Sequence, residues 1–458
     1  MAIATVNPAT GETITTFVPH DDAEIERRIA EAQAAFESLG RTSFAERATW
    51  MRAAADLIEA DVDELARLMT LEMGKPIVQA RNEALKCARS MRFYADNAEA
   101  FLAEEVLQDP SAVGATRAAS IAQPIGIVLA VMPWNYPMWQ VIRFAGPALM
   151  AGNSGLLKHA SNVPQVALYL DTLFDRAGFP SGSFRTLLVG AGSVEAVLRD
   201  DRVQAVTLTG SEAAGRSVAA IAGSEIKKSL LELGGSDPFI VMPSADLEAA
   251  ATTAVTARMQ NNGQSCVAAK RFLVHAEVYD EFAELFSRKV RALVLGDPFD
   301  PATDVGPVAT SSGRDDLAAL VDDAVAKGAT VLAGGAALDG PGWFYEATVI
   351  ADLTDDMRIV MEETFGPVAS LYKVADREEA VRIANQTSFG LSSSVWTTDA
   401  DEQDYFARSL AAGAVFINGM TVSYSELPFG GIKNSGYGRE LSREGIREFV
   451  NVKTVWQA

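Results

Sequence analysis

Ile125-Gly126-Ile127-Val128-Leu129-Ala130-Val131-Met132 decides the fold. The run is apolar throughout, without the alternation of a strand that keeps one face in water, so it predicts a strand covered on both faces. The unit then repeats. Helices are predicted over 140–150, 163–176, 194–199 and 212–222, and strands over 154–157, 184–189, 203–208 and 229–233. Such a series predicts a mainly parallel sheet flanked by helices. Ligands of open parallel sheets bind beyond the C-terminal strand ends. Placed there are Pro133-Trp134-Asn135-Tyr136-Pro137, Lys158-His159-Ala160-Ser161, Gly190-Ala191-Gly192, Thr209-Gly210-Ser211 and Glu232-Leu233-Gly234-Gly235. This polar, glycine-rich set with one lysine suits a nucleotide. Gly190-Ala191-Gly192 opens like a dinucleotide fingerprint but lacks the third glycine. Gly210-Ser211 before a helix reads equally as a phosphate site or as an ordinary capped turn.

Upstream the chain is helical. Asp21 and Asp22 precede an apolar face of Ile25, Ile29, Ala32 and Phe36 that stops at Gly40. Ser43-Phe44-Ala45-Glu46 is a capping box for a helix predicted to run towards Met73, before Gly74 and Pro76. Cys87 lies in a third helical stretch and reads as core. Downstream a second lobe follows Gly235, with helices predicted over 244–260, 278–293 and 315–327 and a strand over 271–275. The apolar run over 449–455 is a strand needing a partner edge, which predicts pairing with another subunit.

At 458 residues the chain exceeds one comfortable core, and two or three lobes are expected. With 39 basic and 60 acidic residues the formal charge is -21, which disfavours nucleic acid and anionic membranes. An anionic small substrate would need a local arginine or lysine. Two cysteines make no disulfide framework and three isolated histidines no metal-ligand set, so no metal is expected. With no leader-like start and no apolar stretch of spanning length, a cytoplasmic protein is expected.

The other cysteine sits in Asn261-Asn262-Gly263-Gln264-Ser265-Cys266-Val267-Ala268-Ala269-Lys270, a polar turn between a helix and a strand. A thiol on such a connection reads as a nucleophile or as a small buried hydrophobe.

Taken together the motifs resemble the aldehyde dehydrogenase superfamily over nearly the whole chain. They are Pro133 to Pro137, Lys158 with Ser161, Thr209-Gly210-Ser211, Leu231-Glu232-Leu233-Gly234-Gly235, Gly263-Gln264-Ser265-Cys266, Glu363-Thr364-Phe365-Gly366-Pro367 and Pro428-Phe429-Gly430-Gly431, in family order. The resemblance implies an α/β fold with a Rossmann-like cofactor domain (1–105 and 125–234), an α/β catalytic domain (235–435) and a small β oligomerisation arm (106–124 and 446–458). It implies Cys266 as nucleophile, Glu232 as the base that activates water, and Asn135 with the Cys266 amide as the oxyanion hole. It implies cofactor contacts from Trp134, Asn135, Lys158, His159, Ala160, Ser161, Gly210, Ser211, Leu233, Glu363 and Phe365.

Members that prefer NAD carry a glutamate three residues after the lysine. Ser161 stands there, which removes a negative charge and leaves Lys158 for a 2′-phosphate, so NADP is expected over NAD. Where proline is usual the chain has His159, which reads as a local backbone variation. Arg143 resembles the arginine that holds the distal carboxylate in members acting on succinate semialdehyde, its alternative being a salt bridge. A second arginine found in some members is replaced by Gln260, so hydroxyls such as that of Ser423 would complete the carboxylate site. The expected reaction is oxidation of succinate semialdehyde to succinate with NADP by a homodimer or homotetramer. The alternatives are an NAD-preferring dehydrogenase of another short or aromatic aldehyde, and a non-catalytic binding protein of the same fold.

Overall fold

The computed structural model describes residues 2–458. The run that opened the sequence reading becomes strand Ile127–Val131, every residue but the last buried. It lies between Ser154–Lys158 and Val203–Thr209, parallel to both, and Phe184–Thr186 and Lys228–Glu232 extend the parallel sheet outwards. Gly126 leaves the strand at φ +135°, a conformation that favours glycine. All these strands end on one edge, which sets the motif-bearing loops side by side.

A short strand from far along the chain, Gly436–Tyr437, pairs antiparallel with Lys228–Glu232 and places Gly436 opposite Glu232. A Cβ at Gly436 would come within 1.9 Å of the Leu231 carbonyl oxygen, so only glycine allows this approach.

The second sheet has seven strands, in the order Thr330–Ala333, Thr348–Ala351, Val368–Val374, Ala269–His275, Asp237–Val241, Ser393–Trp396 and Val415–Ile417. All its pairings are parallel except that of Thr330–Ala333. Strand Asp237–Val241 follows Glu232 after only four residues, so one connection carries the chain from the first sheet to the second.

Two expectations are corrected. The helix predicted to run unbroken to Met73 is two helices, Phe44–Ala60 and Val62–Met73, meeting at Asp61. Asp61 is held by Tyr169 and Arg176, a tertiary constraint that no local breaker announces. The terminal strand Val450–Gln457 finds its partner edge within the same chain, pairing antiparallel with Arg117–Pro124 through all eight residues. Glu105–Val106 completes that three-stranded sheet. The capping box forms as expected: the Glu46 amide donates to Ser43 Oγ at 3.2 Å and the Ser43 amide to Glu46 Oε2 at 2.8 Å. No helix among the described residues is long and apolar enough to cross a membrane.

Candidate active site

Helix Leu247–Met259 gives way to a turn in which Asn261, Asn262 and Gly263 have φ of 56°, 56° and 70°. Asparagine tolerates this left-handed region because its short amide can bond nearby backbone; the Asn261 amide does so locally, whereas that of Asn262 is held by distant segments. Asn261 Nδ2 donates to the carbonyls of Asn135 and Gln264, at 2.8 and 2.9 Å, and Asn262 Nδ2 to those of Gly74 and Pro307, each at 2.8 Å. At Gly263 a Cβ would lie 2.3 Å from the Gly366 carbonyl oxygen, so the turn presses directly on the Glu363-to-Pro367 loop. Fully buried Arg258 ties the same two pieces, donating to the carbonyls of Thr364 and Gly366. Beyond the turn Lys270 Nζ donates to the carbonyls of Ser265 and Cys266, at 2.9 and 2.8 Å, and pairs with Glu363 at 3.2 Å. Cys266 is thus fixed from both sides.

The half-buried Cys266 opens into a cavity of about 490 Å³ that Arg143, Gln260 and Ser423 also line. Burial pushes its thiol up to about 11; Arg143 and Lys270 pull it down, while Glu363 and Glu232 push it further up. The resting sulfur is therefore protonated, and a base is needed to form the thiolate. Glu232 is buried at the end of its strand, and neither carboxylate oxygen has a hydrogen-bond partner among the described residues. Burial first and the Glu440 charge second raise its pKa well above the ordinary range, against the pull of Arg143 and Arg439. A desolvated carboxylate without donors is basic, which suits it to take protons. Gly430 crowds it closely: a Cβ there would lie 2.7 Å from Glu232 Oε1.

Asn135 is buried, and its Nδ2 donates to the Gln264 carbonyl at 3.2 Å. One of its two N–H groups stays uncommitted next to the nucleophile loop. The side chain of His159 is a correction. Its ring lies between the loop's ends, within 3.3 Å of the Met132 carbonyl and 2.9 Å of the Pro137 carbonyl, and it accepts from the Ala160 amide at 2.9 Å. Nδ1 is then the acceptor and Nε2–H the donor to Pro137. Burial lowers its pKa to about 4, so it stays neutral and braces the Asn135 loop rather than offering its ring to a cofactor.

Arg143 lines the cavity, as expected of a substrate contact, and also has partners inside the protein. It is fully buried on the cavity wall, ion-paired with Glu440, donating to Thr209 Oγ1 at 3.2 Å and lying 4.9 Å from the Phe429 ring centroid. Its charge is committed within the protein, which is the salt-bridge alternative in buried form. Ser423 accepts hydrogen bonds from Lys86 Nζ and Trp139 Nε1, each at 2.9 Å. Lys86, Lys75, Glu83 and Glu440 went unnoticed in the sequence. Lys75 pairs with Glu83 in the interior and lies 3.9 Å from the Tyr136 ring centroid, while Glu83 Oε1 accepts the Met138 and Trp139 amides at 2.9 Å. The signal available was Glu83 and Lys86 three apart on one helical face.

The loops expected to take the cofactor follow the strand ends of the first sheet. Trp134 and Phe365 meet edge to face at 5.7 Å. Gly210 bonds back to the Glu232 carbonyl at 3.0 Å, and Ser211 caps the 13-residue helix Glu212–Ser224, which packs so closely that a Cβ at Gly215 would lie 2.7 Å from Leu233. Lys158 ends its strand without an ion pair among the described residues, its pKa lowered by burial, and Ala160 and half-buried Ser161 follow it. The Gly235 amide donates to Glu363 Oε1 at 3.1 Å.

The sequence model of the aldehyde dehydrogenase family matches residues 1–455. The chain belongs to that family. It is 63% identical over 457 residues to a succinate-semialdehyde dehydrogenase [NADP(+)] of Mycobacterium avium (strain 104), spanning 100% of this chain and 97% of that one. Succinate-semialdehyde dehydrogenase [NADP(+)] 1 of Mycobacterium tuberculosis (strain H37Rv) is 62% identical over 458 residues, with 100% of both chains covered. Among solved structures, succinic semialdehyde dehydrogenase from Streptococcus pyogenes in complex with NADP+ superposes with a TM-score of 0.96 at 37% identity, covering 99% of each chain. In this aldehyde dehydrogenase Cys266 lines the cavity, Asn135 bonds to Gln264 of the nucleophile turn, and the charge of buried Glu232 acts on the Cys266 thiol.

Proposed function

We propose that the protein oxidises succinate semialdehyde to succinate with NADP. The observation that carries this reading is the cavity beside Cys266. In a chain of formal charge -21 its lining brings Lys75, Lys86 and Arg143 together with the acidic Glu83 and Asp304; Lys75 and Arg143 are paired within the protein, and Lys86 is left as a cation suited to an aldehyde with a distal carboxylate. The names of relatives at 62–63% identity support the same substrate and cofactor.

Glu232 takes the Cys266 proton, directly or through water, and passes it to solvent, and the thiolate adds to the aldehyde carbon. The free Asn135 N–H and the Cys266 amide donate to the oxyanion that forms. The edge fits NADP: Lys158 without an ion pair, Ser161 in place of a carboxylate and the capped helix behind Gly210 suit its phosphates, with Trp134, Leu233, Glu363 and Phe365 beside them. When bound, NADP supplies the hydride acceptor. On the resulting Cys266 thioester, Glu232 deprotonates the attacking water and succinate leaves with the thiol restored.

We assign 1–105 and 125–234 to cofactor binding, 235–435 to catalysis and 106–124 with 446–458 to an oligomerisation arm. The arm leaves Val106, Val452 and Trp456 exposed on a small sheet with an open edge, which favours a homodimer or homotetramer. Two free cysteines suit a reducing compartment, and we place the enzyme in the cytoplasm.

The deciding experiment measures initial rates of reduced-cofactor formation with succinate semialdehyde, butanal and benzaldehyde, each with NADP and with NAD. Selective turnover of succinate semialdehyde with NADP is expected. Faster turnover of the uncharged aldehydes, or preference for NAD, would replace this reading with the general aldehyde dehydrogenase alternative.

A further inference from the structure

Three cations line the Cys266 cavity, and two are neutralised inside the protein. Lys75 is paired with Glu83, and Arg143 with Glu440. Lys86 differs. It makes no ion pair among the described residues; its ammonium lies 4.0 Å from the Trp139 ring centroid and donates to Ser423 Oγ at 2.9 Å. Burial is the main reason its pKa falls, to about 8, as expected of a desolvated cation without a carboxylate.

The hydroxyl between these groups is in an unusual state. A serine oxygen has two acceptor lone pairs and one O–H to give. Lys86 Nζ occupies one lone pair and Trp139 Nε1 the other, each at 2.9 Å. Ser423 is therefore left as a donor only, and no described acceptor takes its proton. Lys86 keeps two further N–H groups. The cluster thus presents hydrogen-bond donors and a positive charge to the cavity, and no described acceptor takes the Ser423 proton. A carboxylate, which only accepts, satisfies such a cluster; an apolar chain end leaves it desolvated and unpaired.

Helix Ile77–Phe101 carries Lys86, helix Trp139–Ala151 carries Trp139, and Ser423 comes from the loop before the Pro428-to-Gly431 motif. Glu83, one turn before Lys86, receives the Met138 and Trp139 amides and so locks the two helices in register. The donor cluster is built on braced elements.

We propose that Lys86 is the specificity-determining residue for carboxylate-ended aldehydes, supplying an unpaired positive charge in the cavity and, with Trp139, fixing Ser423 as a donor toward the substrate carboxylate. This rests on the reading that the substrate is a carboxylated aldehyde, and it moves the carboxylate's principal cation from Arg143 to Lys86.

The test compares kcat and KM of the parent, Lys86→Met and Lys86→Arg with succinate semialdehyde and with butanal, NADP being saturating, and adds competitive inhibition by succinate. A charge-assisted contact corresponds to about 10- to 100-fold in binding. In Lys86→Met the KM for succinate semialdehyde and the Ki for succinate should rise by that factor. The ratio of kcat/KM for succinate semialdehyde over butanal should fall with them, and Lys86→Arg should recover part of it. A Lys86→Met ratio within about twofold of a parent that prefers succinate semialdehyde would overturn the role of Lys86 and leave the proposed function standing. A parent without that preference would overturn both.

Discussion

Glu232 illustrates what one residue gains from being left without partners. Donors around a carboxylate stabilise its charge and weaken it as a base; this one has none, and burial together with the Glu440 charge raises its pKa. Thioester hydrolysis needs the unprotonated form, so its rate should climb with pH through that raised value. Glu232→Gln keeps the shape and removes the basicity. Because Glu232 also takes the Cys266 proton, the pre-steady-state formation of reduced cofactor should slow about 10²- to 10⁴-fold, the usual worth of a positioned base, and steady-state turnover should drop by at least as much. The rising pH limb should vanish with it. Steady-state turnover within twofold of the parent would remove Glu232 from the mechanism.

Among the elements, the nucleophile turn is the one most constrained by its neighbours. Gly263 has φ 70°, and a Cβ would meet the backbone of Gly366 and Pro367 at 2.3 to 2.7 Å, atoms that cannot rotate away. Gly263→Ala should therefore destabilise the enzyme by about 3 kcal/mol and displace Cys266, lowering both the melting temperature and thiol alkylation by iodoacetamide. An unaltered melting temperature would mean that the loop from Glu363 to Pro367 yields easily. Local chemistry of this kind was legible in the sequence, as were the parallel strands around Ile127–Val131, a continuous apolar run of strand length in a series alternating with helices. What escaped depends on contacts across hundreds of residues. The ion pair of Arg143 was not legible because Glu440, its partner, lies nearly 300 positions away, between the Pro428-to-Gly431 motif and the terminal strand. Lys86 and Ser423 are separated by 337 positions, and helical spacing alone cannot reveal that Lys86 faces a cavity. Asp61 divides two helices through its hold on Tyr169 and Arg176, where the sequence has neither glycine nor proline to mark a break.

For the molecule as a whole, the buried titratable groups predict how stability depends on pH. Burial pushes Glu72 and Asp237 up to about 7, and raises Glu232 and Glu440 as well. Each binds its proton more tightly folded than unfolded, so its contribution is complete below the ordinary carboxyl value near 4 and is lost as pH rises through the folded value. His20 and His159 act oppositely: burial lowers both, the latter to about 4, so they favour the folded state increasingly as pH rises to their ordinary value of 6.5 and add nothing beyond it. Between pH 6.5 and 8 the carboxyl groups are therefore unopposed by histidine, and the melting temperature should fall. The formal charge of -21 adds self-repulsion of the same sign, which salt screens, whereas the desolvation of buried carboxylates is not screened. Melting curves at pH 6.5 and 8 in about 0.5 M salt, where the Debye length is only about 4 Å, isolate the buried groups. Asp237→Asn removes the titration while keeping an oxygen for the Ser392 amide that Asp237 Oδ1 accepts at 3.1 Å, so it should narrow the fall. A melting temperature that stays level or rises from pH 6.5 to 8 in high salt would mean that these carboxyls titrate near their ordinary values.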